Sequence, residues 1–213
     1  MTNRLAGPSQ GKTARAAGLA LLIMFLLSIF AEFVVLSKLV VPGDAATTAS
    51  NIMANAMPFR IGIVAYLIIL ALDVVVALAL YVLLRGVNRN FALLTAVLRV
   101  LYAATMGISL LALALLFVDA YNYGKLVAYA FFIPHLLVVG YLVFRSGYIP
   151  RILGILLMIA SPSYLVLLYG NLLLPQAWSQ AVYPIVLVPA TISEISLGLW
   201  FLLKAGRIPG MKS

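Results

Sequence analysis

The sequence predicts an all-α polytopic membrane protein, six transmembrane helices in a bundle with both termini cytoplasmic. Three observations predict it. Of 213 residues 65% are apolar and 9% charged, with a mean hydropathy of +1.17, whereas a soluble domain carries roughly 25% charged residues. The apolar residues fall in six stretches, each long enough to cross a hydrocarbon core of about 30 Å as a helix rising about 1.5 Å per residue. Basic residues gather in alternate links between those stretches. Six spans of about 22 residues use nearly every apolar position, so residues 1–213 are expected to form a single integral membrane domain.

The first span, about 16–37, is preceded by Arg4, Lys12 and Arg15 and carries Glu32 near its far end. Its apolar run exceeds the roughly 7 to 15 residues of a signal-peptide core, so it is expected to stay as a helix. In the segment 42–57, Asp44 is placed to cap a short helix with Ala45, Ala49, Ile52, Met53 and Ala56 on one stripe. That helix is expected to lie on the outer interface. The remaining spans fall at about 60–84, 91–118, 126–144, 152–173 and 182–203. The links Arg85-Gly-Val-Asn-Arg89 and Arg145-Ser-Gly-Tyr-Ile-Pro-Arg151 on one side, and the turn Asp119 to Lys125 on the other, are short enough to force antiparallel neighbours.

Charge then orients the bundle. Arg4, Lys12, Arg15, Arg85, Arg89, Arg145, Arg151, Lys204, Arg207 and Lys212 fall on one side, and only Lys38 and Lys125 on the other. The positive-inside rule assigns the basic side to the cytoplasm. The net charge of +9 therefore reflects topology; the expected partners are the lipid bilayer and anionic lipid at the inner face, not nucleic acid. A small solute is admitted as a ligand, and a protein partner or homo-oligomer is left open. With no cysteine and one histidine, disulfides and thiolate metal sites are excluded and one chain lacks the ligands of a His-rich site. No metal or cofactor is expected. Phosphate-loop, nucleophile-elbow and metalloprotease motifs are absent from the sequence.

Counting from the basic stops locates four ionisable residues. Asp73 lies 12 residues before Arg85, His135 10 before Arg145, Glu194 10 before Lys204, and Arg99 10 after Arg89. The helical rise puts all four about 15 to 18 Å from the basic end, near the bilayer midplane. A charge there costs from about 2.5 to above 10 kcal/mol unless it faces the bundle interior and finds a partner. Arg99 keeps its proton, so Asp73 or Glu194 is expected to pair with it. The layer is neutral only with one further proton bound, on the other carboxyl or shared with His135. Asp73, Arg99, His135 and Glu194 are thus candidates for a ligand- or proton-binding site, and the alternative is a polar network that only locks helices together. Pro134, Pro162, Pro184 and Pro189 near this layer free backbone carbonyls, as broken transporter helices do. Toward the outer face, Glu32 and Arg60 are expected to form a structural ion pair between the first two spans.

Several ordered strings are distinctive: Ile29-Phe-Ala-Glu32-Phe, Val41-Pro-Gly-Asp-Ala-Ala, the run from Asp73 through Arg85 to Arg89, the run from His135 through Arg145 to Arg151, and Glu194 ahead of Trp200. Together, over nearly the whole chain, they resemble domain of unknown function family 4386, a group of bacterial multi-pass membrane proteins. The resemblance implies this topology and a bacterial cytoplasmic (inner) membrane. It brings no catalytic or ligand residues with it. The turn Asp119 to Lys125 is shorter than the insert of that family.

Three functions fit. The first is binding or transport of a small or lipophilic solute, proton-linked, through the midplane cluster. The second is an intramembrane lipid-modifying enzyme with His135 as base and Glu194 or Asp73 as acid; it ranks lower for want of a nucleophile or metal, and no catalytic residue is assigned. The third is a structural or regulatory subunit of a membrane complex whose buried charges specify packing.

Overall fold

The structure, a computed structural model, describes residues 10–41, 43–174 and 176–204, and side chains other than those of 176–186. Arg4, Arg207, Lys212 and the side chain of Pro184, used above, lie outside the described residues. The helices are α1 (Gln10–Leu39), α2 (Ala45–Ala54), α3 (Ala56–Leu84), α4 (Arg89–Ala114), α5 (Val118–Arg145), α6 (Arg151–Leu173) and α7 (Gln176–Lys204). All but α2 contain a stretch long and apolar enough to cross a membrane, in α7 over Leu187–Lys204. Such sequences become helices because hydrocarbon offers the backbone no partner except itself.

The six long helices form a closed ring. Each packs on its neighbours in chain order, and α7 returns to α1. Closure depends on glycine. A Cβ on Gly18 of α1 would lie 2.6 Å from the Gly198 carbonyl oxygen and 2.7 Å from the Leu202 nitrogen of α7, so only a residue without a side chain lets these backbones touch. Gly140 and Gly154 do the same for α5 and α6, where a Cβ on Gly154 would lie 2.6 Å from the Gly140 oxygen.

At the end carrying Arg85, Arg89, Arg145 and Arg151, hereafter the basic end, a large apolar core runs from Ala14 and Ala17 through Val76, Leu80 and Leu136 to Phe201. A second cluster, built on Leu36, Leu39, Ile52, Phe59, Leu113 and Tyr121, closes the end nearer α2. Tyr148, in the link between α5 and α6, donates its hydroxyl to the Leu83 carbonyl at 2.5 Å, and burial pushes this phenol above its ordinary pKa.

Local sequence explains two of the helix starts. The Asn88 side chain accepts from the Phe91 amide at 3.0 Å and begins α4. Asp44 caps α2 as expected, accepting from the Thr47 amide at 2.8 Å and the Thr47 hydroxyl at 2.6 Å. The stripe expected along α2 differs, however: Thr48 and Ile52 face the bundle while Met53 is 65% exposed. The short α2 is anchored through polar Thr48, which accepts from the Val41 amide at 2.9 Å.

The link between α4 and α5 also departs from expectation. Asp119 to Lys125 are not a turn; they form the first turns of α5, and the chain reverses over Leu115–Phe117 with Leu116 at a φ of 63°. Polarity alone does not end a helix, and Asp119 in the first turn complements the positive end of the helix dipole. Within α1, residues Ile29–Leu36 widen into a π-helix, a local form that often marks functional sites.

Candidate functional site

Four helices bring the midplane residues together. On α4, Thr95, Arg99, Ala103 and Met106 recur at helical spacing along the buried face. Asp73 lies on the buried stripe of α3 with Ile69, Val76 and Leu80, and His135 on that of α5 with Phe132, Leu136 and Val139. Glu194 of α7 is one residue off the fully buried Ser193, at the edge of its packed face.

Arg99 is the hub. Its Nε donates to Asp73 Oδ1 at 2.8 Å and its Nη1 to Glu194 Oε1 at 3.1 Å. Nη1 also lies 3.2 Å from His135 Nε2. Arg99, Asp73 and His135 are buried to within 2% exposure, whereas the Glu194 side chain is 28% exposed. Phe132 stacks on the His135 ring at 5.4 Å and its centroid lies 5.7 Å from the guanidinium carbon.

The hydrogen bonds fix the imidazole tautomer. A guanidinium only donates, so Nε2 facing Nη1 carries a lone pair. On the other side Nδ1 lies 2.8 Å from the Thr95 carbonyl oxygen, which only accepts, so Nδ1 carries the proton. The Thr95 hydroxyl, 2.7 Å from Nδ1 and 3.2 Å from the His135 carbonyl oxygen, donates to that carbonyl. His135 in this arrangement is neutral, and it props Arg99 from behind.

On the α2 side of the cluster lies a cavity of about 490 Å³, within the size range of small-molecule sites. Asp73, Arg99 and Glu194 form its floor; His135 is not among the lining residues. Its walls are apolar and rich in rings, with Tyr66, Tyr102, Tyr129, Phe132 and Tyr164 facing it. The lining runs out between Ile29 and Phe33 of α1 and Val188 and Ile192 of α7, side chains between 41% and 55% exposed on the apolar perimeter. Below this gap Gly18 and Gly198 pinch the same two helices together. The cavity thus opens sideways, and the charged cluster sits at its closed end.

Among the described residues, Asp73 Oδ2 and Glu194 Oε2 make no hydrogen bond, and both residues line the cavity. Nearer α2, Glu32 and Lys125 also line it. The Lys125 ammonium lies 4.3 Å from the centroid of the Tyr121 ring. Among the described residues no group of three or more His, Cys, Asp and Glu is arranged to hold a metal ion.

The expected Glu32–Arg60 bridge is replaced. Glu32 accepts a hydrogen bond from the Tyr66 hydroxyl, and Arg60 is exposed. Helical phase is the reason. The face of α3 turned inward carries Phe59, Gly62, Ile69 and Asp73 at three- and four-residue intervals, with Tyr66 in phase and Arg60 off it. Sequence reasoning also missed Thr95, although it stands one turn before Arg99 on the same face, and it did not single out the cavity tyrosines.

Ring, cavity and buried charge together define a multi-pass helical membrane protein with an ionic cluster at the closed end of a laterally open cavity. The chain belongs to the family described as Domain of unknown function (DUF4386), whose family model matches residues 16–116 and 109–205. It is also 40% identical over 95 residues to an "Uncharacterized protein" of the archaeon Archaeoglobus fulgidus, a match covering 44% of this chain and 56% of that relative. The chain thus matches little more than half the length of that relative. No solved structure matches the chain.

Proposed function

We propose that the chain binds a small lipophilic solute that enters sideways from the bilayer, and that it carries or senses this solute in a process linked to a proton. One observation supports the reading above others: Glu194, a carboxylate at the midplane, is 28% exposed to a ring-lined cavity of about 490 Å³. A charge kept only for packing has no reason to stay accessible, because accessibility forgoes the packing contacts around it. The apolar body of a ligand would replace lipid against the walls, and its polar group would meet the free oxygens of Asp73 and Glu194.

Both termini are placed in the cytoplasm and the membrane is read as the cytoplasmic membrane, so the cavity belongs to the half of the bilayer away from the cytoplasm. Anionic lipid is the expected companion of the basic end. Against the lipid-modifying enzyme, both ring nitrogens of His135 are already engaged and the residue does not line the cavity, so it is poorly placed as a general base. The subunit reading draws on the fact that the same contacts tie four helices together.

The test is a native mass spectrum of the protein released gently from its own membranes, beside Glu194→Gln. A defined small molecule on the wild type and missing from the folded variant is expected. The same adduct on both proteins would remove the cluster from the site. A stoichiometric protein partner on a chain with no small-molecule adduct would favour the subunit reading.

A further inference from the structure

We infer that the ligand is an amphipathic organic monocation, which exchanges with a proton at the floor of the cavity; this rests on the solute-binding reading and names its substrate class. Charge balance at the floor is the first reason. Asp73 and Glu194 face Arg99 alone, and His135 is held neutral by the Arg99 and Thr95 contacts. One negative charge is left over. In a water-poor cavity an uncompensated charge is expensive, so the floor holds either a proton or a cation.

The groups around the floor point to a cation rather than an anion. Arg99 already donates to two carboxylates, which leaves an incoming anion facing two negative groups. Among the described residues a cation finds Asp73 Oδ2 and Glu194 Oε2 without hydrogen bonds. From the other packed elements the facing groups are Tyr66 on α3, Tyr102 on α4, Tyr129 and Lys125 on α5, Tyr164 on α6 and Glu32 on α1. Lys125 and Glu32 are opposite in sign and offset each other. Aromatic rings line the walls, and the face of such a ring attracts a cation, the more so on desolvation. Among the described residues no other wall charge tips the balance.

In the exchange, the empty site carries one proton on a carboxyl oxygen of the Asp73–Glu194 pair. Binding replaces that O–H bond with an ion pair between the carboxylate and the organic cation, and one proton leaves to solvent for each cation bound.

The test uses tetraphenylphosphonium and tetraphenylborate, nearly the same in size and shape and opposite in charge, with triphenylmethanol as a neutral probe, on the purified full chain. Saturable phosphonium binding is expected, tightening by up to about tenfold per pH unit as pH rises, the limit for one-proton exchange. One proton should appear per cation in weakly buffered solution. Glu194→Gln should bind the cation about tenfold or more weakly, the scale of a charged hydrogen bond, and release no proton. Should Glu194→Gln not fold, the wild-type proton count decides by itself. Saturable triphenylmethanol with no preference for phosphonium over borate would overturn the cation while leaving the solute site standing. No saturable binding by any of the three would remove both.

Discussion

His135 Nε2 faces Arg99 Nη1 at 3.2 Å, so the imidazole accepts from the guanidinium and its proton resides on Nδ1, toward the Thr95 carbonyl. Nitrogen-15 spectra of the ring-labelled protein at neutral pH should therefore show a pyridine-like Nε2 and a pyrrole-like Nδ1. An imidazolium spectrum would contradict the assignment and put the extra proton of the cluster on histidine. His135→Phe keeps a ring but leaves the Arg99 donor short of an acceptor. It should cost about 1 to 3 kcal/mol of stability.

Arg99 and its two carboxylates should behave as a unit. Arg99→Leu strands Asp73 and Glu194 in the interior, and breaking a buried pair in this way costs about 3 to 5 kcal/mol. Replacing the partners as well removes the stranded charge, so the triple variant Asp73→Leu, Arg99→Leu, Glu194→Leu should be more stable than Arg99→Leu alone. Unfolding in detergent, followed by circular dichroism against denaturant, measures the order. Strictly additive losses across the series would show that the groups do not share one electrostatic unit.

The residues that form this unit were legible in the sequence because each sits a fixed number of residues from a basic stop, and helical rise is nearly constant. Asp73, Arg99, His135 and Glu194 fell into one layer on that count alone, and Asp44 announced its cap. Depth is not direction, however. Glu32 and Arg60 were correctly placed near one end of the bundle, but the Phe59, Gly62, Tyr66 face of α3 turns Arg60 away from Glu32. The cavity was invisible for a related reason: it exists where α1 and α7 part beyond the Gly18–Gly198 contact, and only the closed ring makes those two helices neighbours. The Asp119–Lys125 segment was misread because polarity served as the sign of a turn, whereas the reversal lies in the apolar Leu115–Phe117.

The Gly18–Gly198 contact sets the angle at which α1 and α7 part, so it should control the cavity as well as the fold. Gly18→Leu places a side chain where the Gly198 oxygen and Leu202 nitrogen already stand. Overpacking of this kind costs about 1 to 3 kcal/mol. Gly86→Ala, at a position with nothing within 4 Å of the added carbon, is the matched control and should be close to neutral. Thermal midpoints of the two variants decide; equal midpoints would mean that α1 and α7 do not touch at Gly18.

The cap on α2 should give that helix an acid sensitivity of its own. Hydrogen bonds from the Thr47 hydroxyl and then from its amide hold the Asp44 carboxyl below the usual carboxylate range. A carboxyl depressed on folding contributes stability fully above its unfolded value of about 3.9, and that contribution is lost as pH falls through the lower, folded value. Amide exchange at Thr47 and Thr48, corrected for its intrinsic pH dependence, should therefore show constant protection near neutrality and a loss of protection in acid below the ordinary carboxylate value. Asp44→Asn keeps an acceptor for the Thr47 amide without a titrating group, so it should retain most of the protection and flatten the acid response. Asp44→Ala should lose protection at every pH. If Asp44→Asn instead responds to acid as the wild type does, the sensitivity of α2 comes from a group other than its cap.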